Sequence, residues 1–219
     1  MTIKTVAVVG ASGLLGARVV SALQTANFDV TAVTRQKSNA VFPFDAVVRR
    51  ADLSSVESLS AAFAGQDAVV SAVSIVAAVV PGAQNPMIDA ALAAGVKRFI
   101  PSEYDLNTRN LQGEILGDWL LLFDWSLTRG IYGFSFKDKT ATIFDSGNQK
   151  VSTTSLAFLA KIVAAVLQHE EKTANQYIDV IESTVTQNQL LEIIEAEMGS
   201  KFTVRHISTN EVTRESGKG

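Results

Sequence analysis

The sequence predicts an α/β fold with a parallel, doubly wound sheet. A glycine-containing turn follows the first apolar run, and short apolar runs then alternate with amphipathic stretches over the first hundred residues. The amphipathic stretches end at residues that commonly stop helices, such as Asn27, Gly65 and Gly95. Because parallel strands are joined by right-handed helical crossovers, this alternation predicts a sheet that helices cover on both faces.

The first β–α unit consists of an apolar strand at residues 6–9, the turn GASGLLG at residues 10–16 and a helical pattern. Glycine permits a positive φ and lets the backbone approach a pyrophosphate, which the N–H groups of a helix N-terminus then hold. The spacing is GxxGxxG rather than GxGxxG, so the turn alone also fits a simple tight connection. The residues predicted here to bind a dinucleotide are Gly10, Ser12, Gly13, Leu14, Leu15 and Gly16.

Two strands and a helix are predicted next. The strands are residues 28–34 and 46–49, and the spacing of Ser54 and Glu57 predicts a capping box at the start of the helix. The helix is expected to end at Gly65. Its buried face is predicted to comprise Leu59, Ala62 and Phe63.

The fourth strand is predicted at residues 67–73, whose continuous apolar character is typical of a central parallel strand. Asn85 and Pro86 then predict a helix cap followed by a first-turn proline. The buried stripe of that helix is predicted to be Ile88, Ala91 and Leu92, and the fifth strand is residues 97–101.

Ligands of doubly wound sheets bind beyond the carboxyl ends of the strands. That rule predicts binding residues after the second, third and fourth strands, and two hydroxyl groups after the fifth strand as the nearest proton donors. The predicted binding residues are Arg35, Lys37, Asp52, Leu53, Ser71, Ala72 and Val73. The predicted catalytic residues are Ser102 and Tyr104; the alternative, which the loop position favours, is that their hydroxyls stabilise the loop by local hydrogen bonds.

The second predicted strand ends in Thr34-Arg35-Gln36-Lys37, which contains two cations and no acid. NAD-binding sites usually place an acid at this point to hold the ribose 2′-hydroxyl, whereas arginine receives a 2′-phosphate. The sequence therefore favours NADP(H) over NAD(H). The alternative is that Arg35 and Lys37 belong to a solvated loop.

The second half of the chain is less regular. Residues 114–127 fit either a helix or a strand at 119–123, and residues 141–144 and 150–153 fit short extended segments. An amphipathic helix is predicted to bury Leu156, Leu159, Val163, Val166 and Leu167.

Three further elements are predicted before a polar C-terminus. They are a strand at 176–181, a helix between a capping box at Thr186 and Gln189 and a stop at Gly199, and a strand at 202–207. We therefore predict a dinucleotide-binding domain at residues 1–130. A small, reduced C-terminal α/β substrate lobe at 131–219 is predicted to be partly continuous with it.

Composition excludes several classes of function. The chain has 219 residues, a net charge of −3 with scattered cations, and no cysteine, which argues against direct nucleic-acid binding and excludes thiolate chemistry and Cys-based metal sites. His169 and His206 lack ligand-like spacing to acids, so no metal site is predicted. The longest apolar stretch, residues 68–80, is too short to span a bilayer, and the N-terminus has no signal pattern. We expect a cytoplasmic protein.

The sequence resembles the NmrA-like and isoflavone reductase-like proteins, atypical members of the short-chain dehydrogenase superfamily, in a fungal-type version. The resemblance rests on the glycine turn, on Asp52-Leu53 before a serine-rich helix and on DAVVS at residues 67–71. Its most specific part is AGVKRFIPSEY at residues 94–104. It resumes at residues 123–127 and continues to residues 185–188.

The resemblance implies a Rossmann-type fold with NADP(H) along the glycine turn, the 2′-phosphate at Arg35 and Lys37, and the nicotinamide near the ends of strands four and five. Family enzymes transfer a hydride to small, often aromatic substrates, assisted by a lysine on the helix after strand five. This sequence has no lysine between Arg98 and Lys137, and residues 110–122 replace a longer family segment. The matching lysine position is therefore missing.

The sequence consequently predicts an NADPH-binding oxidoreductase that acts on a small-molecule substrate. The alternative is a non-catalytic NADP(H)-binding redox sensor that acts through a protein partner. The shortened segment is either a natural deletion or an aberrant gene product. Homo-oligomer formation is left open, since the apolar residues 115–127 could form an interface.

Overall fold

The computed structural model describes residues 2–42, 46–74, 80, 82–104, 121–122, 127, 130 and 132–210. The chain divides into two compact units. The first consists of Met1–Tyr104 and Leu156–Asp179, and the second of Asp105–Ser155 and Val180–Gly219.

The first unit contains a five-stranded sheet in which all neighbouring strands are parallel. The strand order is β3-β2-β1-β4-β5, so the chain crosses from one half of the sheet to the other between β3 and β4. The strands are β1 (Thr5–Val9), β2 (Asp29–Arg35), β3 (Val47–Ala51), β4 (Ala68–Ser71) and β5 (Arg98–Ile100).

In the part of the chain that the structure describes, four helices cover the two faces of this sheet, as the alternating pattern predicts. Alternate residues of the strands enter separate cores, with Val6 and Val8 in one and Ala7 and Val9 in the other. Helices α1 and α4 pack over the first core, and α2 and α3 pack over the second. Their bounds are α1 (Leu14–Thr25), α2 (Val56–Phe63), α3 (Asn85–Ala93) and α4 (Leu156–Gln168). The doubly wound fold class is confirmed.

The predicted cap of α2 is wrong by one residue. The Ser55 side chain accepts a hydrogen bond from the Ser58 N–H, so Ser55 is the N-cap. Ser54 is not available for this role because its hydroxyl donates to the Asp52 carboxylate at 2.6 Å. The predicted buried face of α2 is correct, and Gly65 has the left-handed φ of a helix stop.

The predicted buried stripe of α3 is correct at Ala91 and wrong at Ile88 and Leu92. Ile88 and Leu92 are 38% and 73% exposed. The buried residues are Met87, Ala90 and Ala91, which have the same i, i+3, i+4 spacing. Both stripes are apolar in the sequence, and the structure buries the one whose alanines allow close approach to α2.

Among its described residues, the second unit contains two three-stranded sheets and one helix. The sheets have the orders β10-β9-β6 and β11-β8-β7. A small core beneath the second sheet includes Phe134, Ile143, Ile194 and Phe202. The elements are β6 (Leu121–Leu122), β7 (Phe134–Ser135), β8 (Thr140–Phe144), β9 (Val151–Thr154), β10 (Ser183–Val185), α5 (Gln187–Met198) and β11 (Thr203–Ile207).

The second half of the chain contains the predicted capping box but not the strand predicted before it. The capping box of Thr186 and Gln189 is present, and Gly199 ends α5 with a φ of 59°. The strand predicted at 176–181 is wrong, because the strand begins at Ser183 and Ile181 is 58% exposed. Leu121–Leu122 agree with the strand alternative for the apolar segment, most of which lies outside the described residues.

The Asp67 carboxylate joins the starts of three strands in the first unit. It accepts hydrogen bonds from the Lys97 ammonium at 2.7 Å, from the Lys4 and Thr5 N–H groups at 2.8 and 3.1 Å, and from the Thr5 hydroxyl at 3.2 Å. The Lys97 ammonium and these N–H groups hold the pKa of Asp67 well below its usual range. Since all these donors favour the ionised carboxylate, Asp67 stabilises the fold at neutral pH.

We predict that Asp67→Asn lowers the free energy of unfolding by about 2 kcal/mol at pH 7, because the amide cannot satisfy four donors. The pKa of Asp67 is lower in the folded protein than in the unfolded chain, where it is near 3.8. The stabilisation by the Asp67 carboxylate is therefore complete above the unfolded pKa and is lost as the pH falls through the folded pKa. The difference between wild type and variant in urea unfolding should therefore narrow below about pH 4. The exposed Asp29→Asn serves as the matched control, and an equal effect of both variants would contradict the assignment.

Candidate functional site

The glycine turn connects β1 to α1 at the carboxyl edge of the sheet. Gly10 has a φ of 81°, and its N–H donates to the Val33 carbonyl of the neighbouring strand at 3.2 Å. The Gly13 N–H donates back to the Gly10 carbonyl at 2.9 Å, which closes the turn. Leu15 is half-buried and Gly16 is buried, whereas the exposed residues of the turn are Ser12, Gly13 and Leu14.

Two of the three glycines are required by close backbone contacts. A Cβ atom at Gly10 would lie 2.5 Å from the Ala72 carbonyl oxygen, and one at Gly16 would lie 2.1 Å from the Gly10 carbonyl oxygen. Gly13 differs, because its nearest contact would be 3.2 Å and its φ of −77° suits any residue. Gly10 and Gly16 therefore bring β1, β4 and α1 together, whereas Gly13 is held by a less close contact at the start of the helix.

The N-terminus of α1 has the features of an anion site. Gly13 is the N-cap, the helix has no side-chain cap hydrogen bond, and its first turn contains no acidic residue. The N–H groups of a first helical turn have no partner within the helix, and the helix dipole places partial positive charge beside them. The residues present therefore fit a pyrophosphate group.

A cavity of about 600 Å³ lies beside the ends of β2 and β3. The backbone around it is well defined, since the Gln36 N–H donates to the Ala51 carbonyl at 3.1 Å and the Ser38 N–H to the Arg35 carbonyl at 3.0 Å. The exposed cations Arg35 and Lys37 line it. Its remaining lining residues are Gln36, Ser38, Ala51, Asp52, Leu53 and Ser54.

Asp52 is the acidic residue of this cavity. Its carboxylate accepts hydrogen bonds from the Ser54 hydroxyl and the Ser54 N–H, at 2.6 and 3.0 Å. These two donors, the hydroxyl first, lower the pKa of Asp52. The carboxylate is thus already engaged with Ser54, and the other charged residues that line the cavity are the cations Arg35 and Lys37.

The ends of β4 and β5 are joined by hydrogen bonds from the predicted catalytic residues. The Tyr104 hydroxyl donates to the Ser71 carbonyl and the Ser102 hydroxyl to the Val73 carbonyl, both at 3.0 Å. The Ser102 N–H donates to the side-chain oxygen of Gln84 at 2.9 Å. Ser71 is fully buried, and its hydroxyl donates to the Met87 sulfur at 3.7 Å.

The Tyr104 side chain packs against the core under α1, and desolvation raises the pKa of its hydroxyl. The phenol therefore stays protonated at neutral pH and can donate one hydrogen bond. In the structure that bond goes to Ser71. A catalytic role of Tyr104 or Ser102 would require the hydroxyl to leave its carbonyl partner, so this assignment stays a prediction.

Sequence reasoning did not single out Gln84, which the structure places as the N-cap of α3. Asn85, the predicted cap, is instead the first helical residue. The Gln84 side chain makes no cap hydrogen bond within α3, and its oxygen accepts from Ser102 after the next strand. No local sequence pattern reports such a bond, because its two residues are 18 positions apart.

The described residues include no group of three or more His, Asp or Glu side chains that could hold a metal ion. His169 and His206 are both exposed. Within the same residues, none of the helices is long and apolar enough to cross a membrane.

A sequence profile of the NmrA-like family matches residues 2–119, which is more than half of the chain. The chain belongs to the NmrA-like family. Two fungal relatives are each 33% identical to this NmrA-like protein. The match to oxidoreductase poxI of Penicillium oxalicum covers 95% of this chain and 74% of poxI. The match to oxidoreductase aprR of Aspergillus flavus covers 98% of this chain and 80% of aprR.

Solved structures of reductases share the fold of this NmrA-like protein. Isoflavone reductase has a TM-score of 0.73 at 18% identity, covering 100% of this chain and 83% of that protein. The leucoanthocyanidin reductase–NADPH complex of Vitis vinifera has a TM-score of 0.74 at 17% identity, and the match covers 98% of this chain and 81% of that reductase. The structure of AtPrR2 with NADP+ and (+)pinoresinol has a TM-score of 0.70 at 22% identity, and the match covers 96% of this chain and 80% of AtPrR2. The Rossmann-type fold and the family resemblance are confirmed.

We predict different effects of alanine at two glycines of the turn. Gly16→Ala should lower the free energy of unfolding by about 2 kcal/mol or more, because its methyl group would overlap the Gly10 carbonyl. Gly13→Ala should change it by less than about 1 kcal/mol, because its backbone conformation accepts alanine. Urea denaturation of both variants measures the difference, and a larger effect at Gly13 would contradict this geometry.

Proposed function

We propose that this chain binds NADP(H) at the carboxyl edge of its five-stranded sheet and transfers a hydride to a small, aromatic substrate. The observation that carries the proposal is the presence, at one sheet edge, of two anion-binding features. The uncapped N-terminus of α1 follows the glycine turn, and the cavity with Arg35 and Lys37 follows β2. A dinucleotide with a 2′-phosphate carries both groups that these features would bind.

In this proposal, each part of the cofactor has residues that would hold it. Ser12, Gly13, Leu14, Leu15 and the glycines on either side would surround the pyrophosphate. Arg35 and Lys37 would bind the 2′-phosphate, and Asp52 and Leu53 line the same cavity. Residues 71–73 would lie beside the nicotinamide, which in its reduced form supplies a hydride. Similarity to reductases that hold NADPH, or NADP+ and (+)pinoresinol, supports this assignment.

The charges of the cavity favour the phosphorylated cofactor. Arg35 and Lys37 supply two positive charges, and the Asp52 carboxylate that could repel a phosphate is held by two donors from Ser54. An arginine can bind a phosphate through two parallel hydrogen bonds, which a ribose hydroxyl cannot match. We therefore expect NADPH to bind more tightly than NADH.

We predict that wild-type protein binds NADPH at least about tenfold more tightly than NADH, and that Arg35→Ala removes this preference. The loss should fall on NADPH, since NADH has no phosphate for Arg35 to contact. Isothermal titration calorimetry of both cofactors measures it. Arg205→Ala, which removes an exposed arginine from β11, is the charge-matched control. Equal affinities of wild type for the two cofactors would reject the cofactor assignment.

Turnover is a separate part of the proposal, because this chain lacks a lysine between residues 98 and 137. The match to the Penicillium oxidoreductase extends over 237 residues, more than the 219 of this chain, so that relative holds residues that are missing here. Any proton transfer must then use other groups. Ser102 and Tyr104 are the hydroxyls that we propose for this role, after release from their carbonyl partners.

We predict NADPH oxidation, followed by the loss of nicotinamide absorbance, with at least one member of a panel of aromatic ketones, benzylic ethers and enones. Tyr104→Phe should lower kcat by about tenfold or more if its hydroxyl delivers the proton, and should leave the NADPH affinity within about twofold. The same loss in Ser102→Ala alone would assign the role to Ser102.

A second candidate function follows from the missing lysine. The chain would then bind NADP(H) without turnover and report the redox state through a protein partner. Tight NADPH binding without oxidation across the whole panel would favour this function over catalysis.

A further inference from the structure

The turn that carries Lys37 is held at both ends. At its start, the Gln36 N–H extends the β2–β3 hydrogen bonding to the Ala51 carbonyl. Further along, the Ser38 N–H closes back on Arg35, and the Ser38 side chain accepts from the Ala40 N–H at 3.2 Å. The Ser38 carbonyl takes no part in these bonds and accepts a hydrogen bond from an arginine of the neighbouring strand β3.

That arginine is Arg50, an exposed residue of β3 paired with Thr34 in the parallel register. Its guanidinium Nη1 donates to the Ser38 carbonyl. A charged donor makes a stronger hydrogen bond than a neutral one, and Arg50 sits on a strand of the sheet rather than on a loop. The bond therefore ties the turn at residues 35–38 to a rigid element.

The neighbouring arginine has a different role. Successive side chains of a strand point to opposite faces, and Arg49 donates to the Ala62 and Ala64 carbonyls, each at 2.8 Å. These carbonyls belong to the last turn of α2 and the residue after it, so Arg49 holds the end of that helix. Two adjacent arginines on one strand thus anchor two separate structures.

We propose that Arg50 is a positioning residue for cofactor selectivity, an inference that rests on the proposed NADP(H) function. By holding Ser38, Arg50 fixes the turn so that Arg35 and Lys37 line the same cavity. An exposed, flexible lysine gains little from a phosphate, because ordering its side chain costs entropy and solvent screens its charge. A turn that is already fixed removes part of that cost before the 2′-phosphate binds.

The consequence is specific to one cofactor. NADH carries no 2′-phosphate, so its binding does not depend on where the turn holds Lys37. Loss of the Arg50 anchor should therefore weaken NADPH binding and leave NADH binding nearly unchanged. A general defect in folding would weaken both.

The test compares Arg50→Met with Arg49→Met, using calorimetric Kd values for NADPH and NADH and the thermal midpoint of each variant. Arg50→Met should reduce the NADPH preference by about tenfold, with an NADH Kd within twofold of wild type. Trypsin should also cleave after Lys37 faster in this variant, because the turn has lost its anchor. Arg49→Met should lower the thermal midpoint and keep the preference.

If Arg50→Met does not fold, a second variant, Arg50→Lys, tests the same role. Arg50→Lys keeps a charged donor and should retain part of the preference. An unchanged NADPH preference in a folded Arg50→Met, or equal losses for both cofactors, would overturn the positioning role. The wild-type measurement separates this result from a failure of the proposed function, which would show as no NADPH preference before any substitution.

Discussion

The structure of the first unit depends on the close approach of three backbone segments at Gly10. The turn after β1 lies against the end of β4 and beneath the first turn of α1, at distances that leave no room for a Cβ atom at Gly10 or Gly16. This contact sets the position of the α1 N-terminus relative to the sheet. It also places the open side of the turn at the edge where β2 ends, since the Gly10 N–H is bonded to the Val33 carbonyl. The proposed cofactor site is a consequence of that packing.

Residues 94–104, which carry the most specific part of the family resemblance, form several hydrogen bonds within the first unit. Lys97 is paired with Asp67 at the start of β4. The Arg98 guanidinium donates to the Glu170 and Thr173 carbonyls beyond the C-terminal end of α4. Ser102 and Tyr104 donate to the carbonyl end of β4. These hydrogen bonds show that residues 97–104 hold β5 in the fold.

The proposed function assigns cofactor binding and proton transfer to different parts of the chain. The features proposed to bind NADP(H) lie between residues 10 and 73, on short connections between regular elements of one sheet. The hydroxyls proposed for proton transfer, those of Ser102 and Tyr104, follow β5. The hydrogen bond from Arg50 to the Ser38 carbonyl supports the cationic turn from a strand. In the proposed function, cofactor selectivity then depends on a residue that does not itself contact the cofactor but positions the turn that does.

The sequence by itself determined the features that depend on local periodicity and local hydrogen bonds. The five parallel strands, the buried face of α2 and, except at half-buried Val166, that of α4, the Thr186–Gln189 capping box and the glycine turn all follow from residues a few positions apart. The tertiary structure decided between alternatives that are locally equivalent. It buried Met87 rather than Ile88, because the alanines beside Met87 fit against α2. It also brought together Gln84 and Ser102, and Ser38 and Arg50, because hydrogen bonds between distant residues depend on how strands and helices pack, which no local pattern encodes.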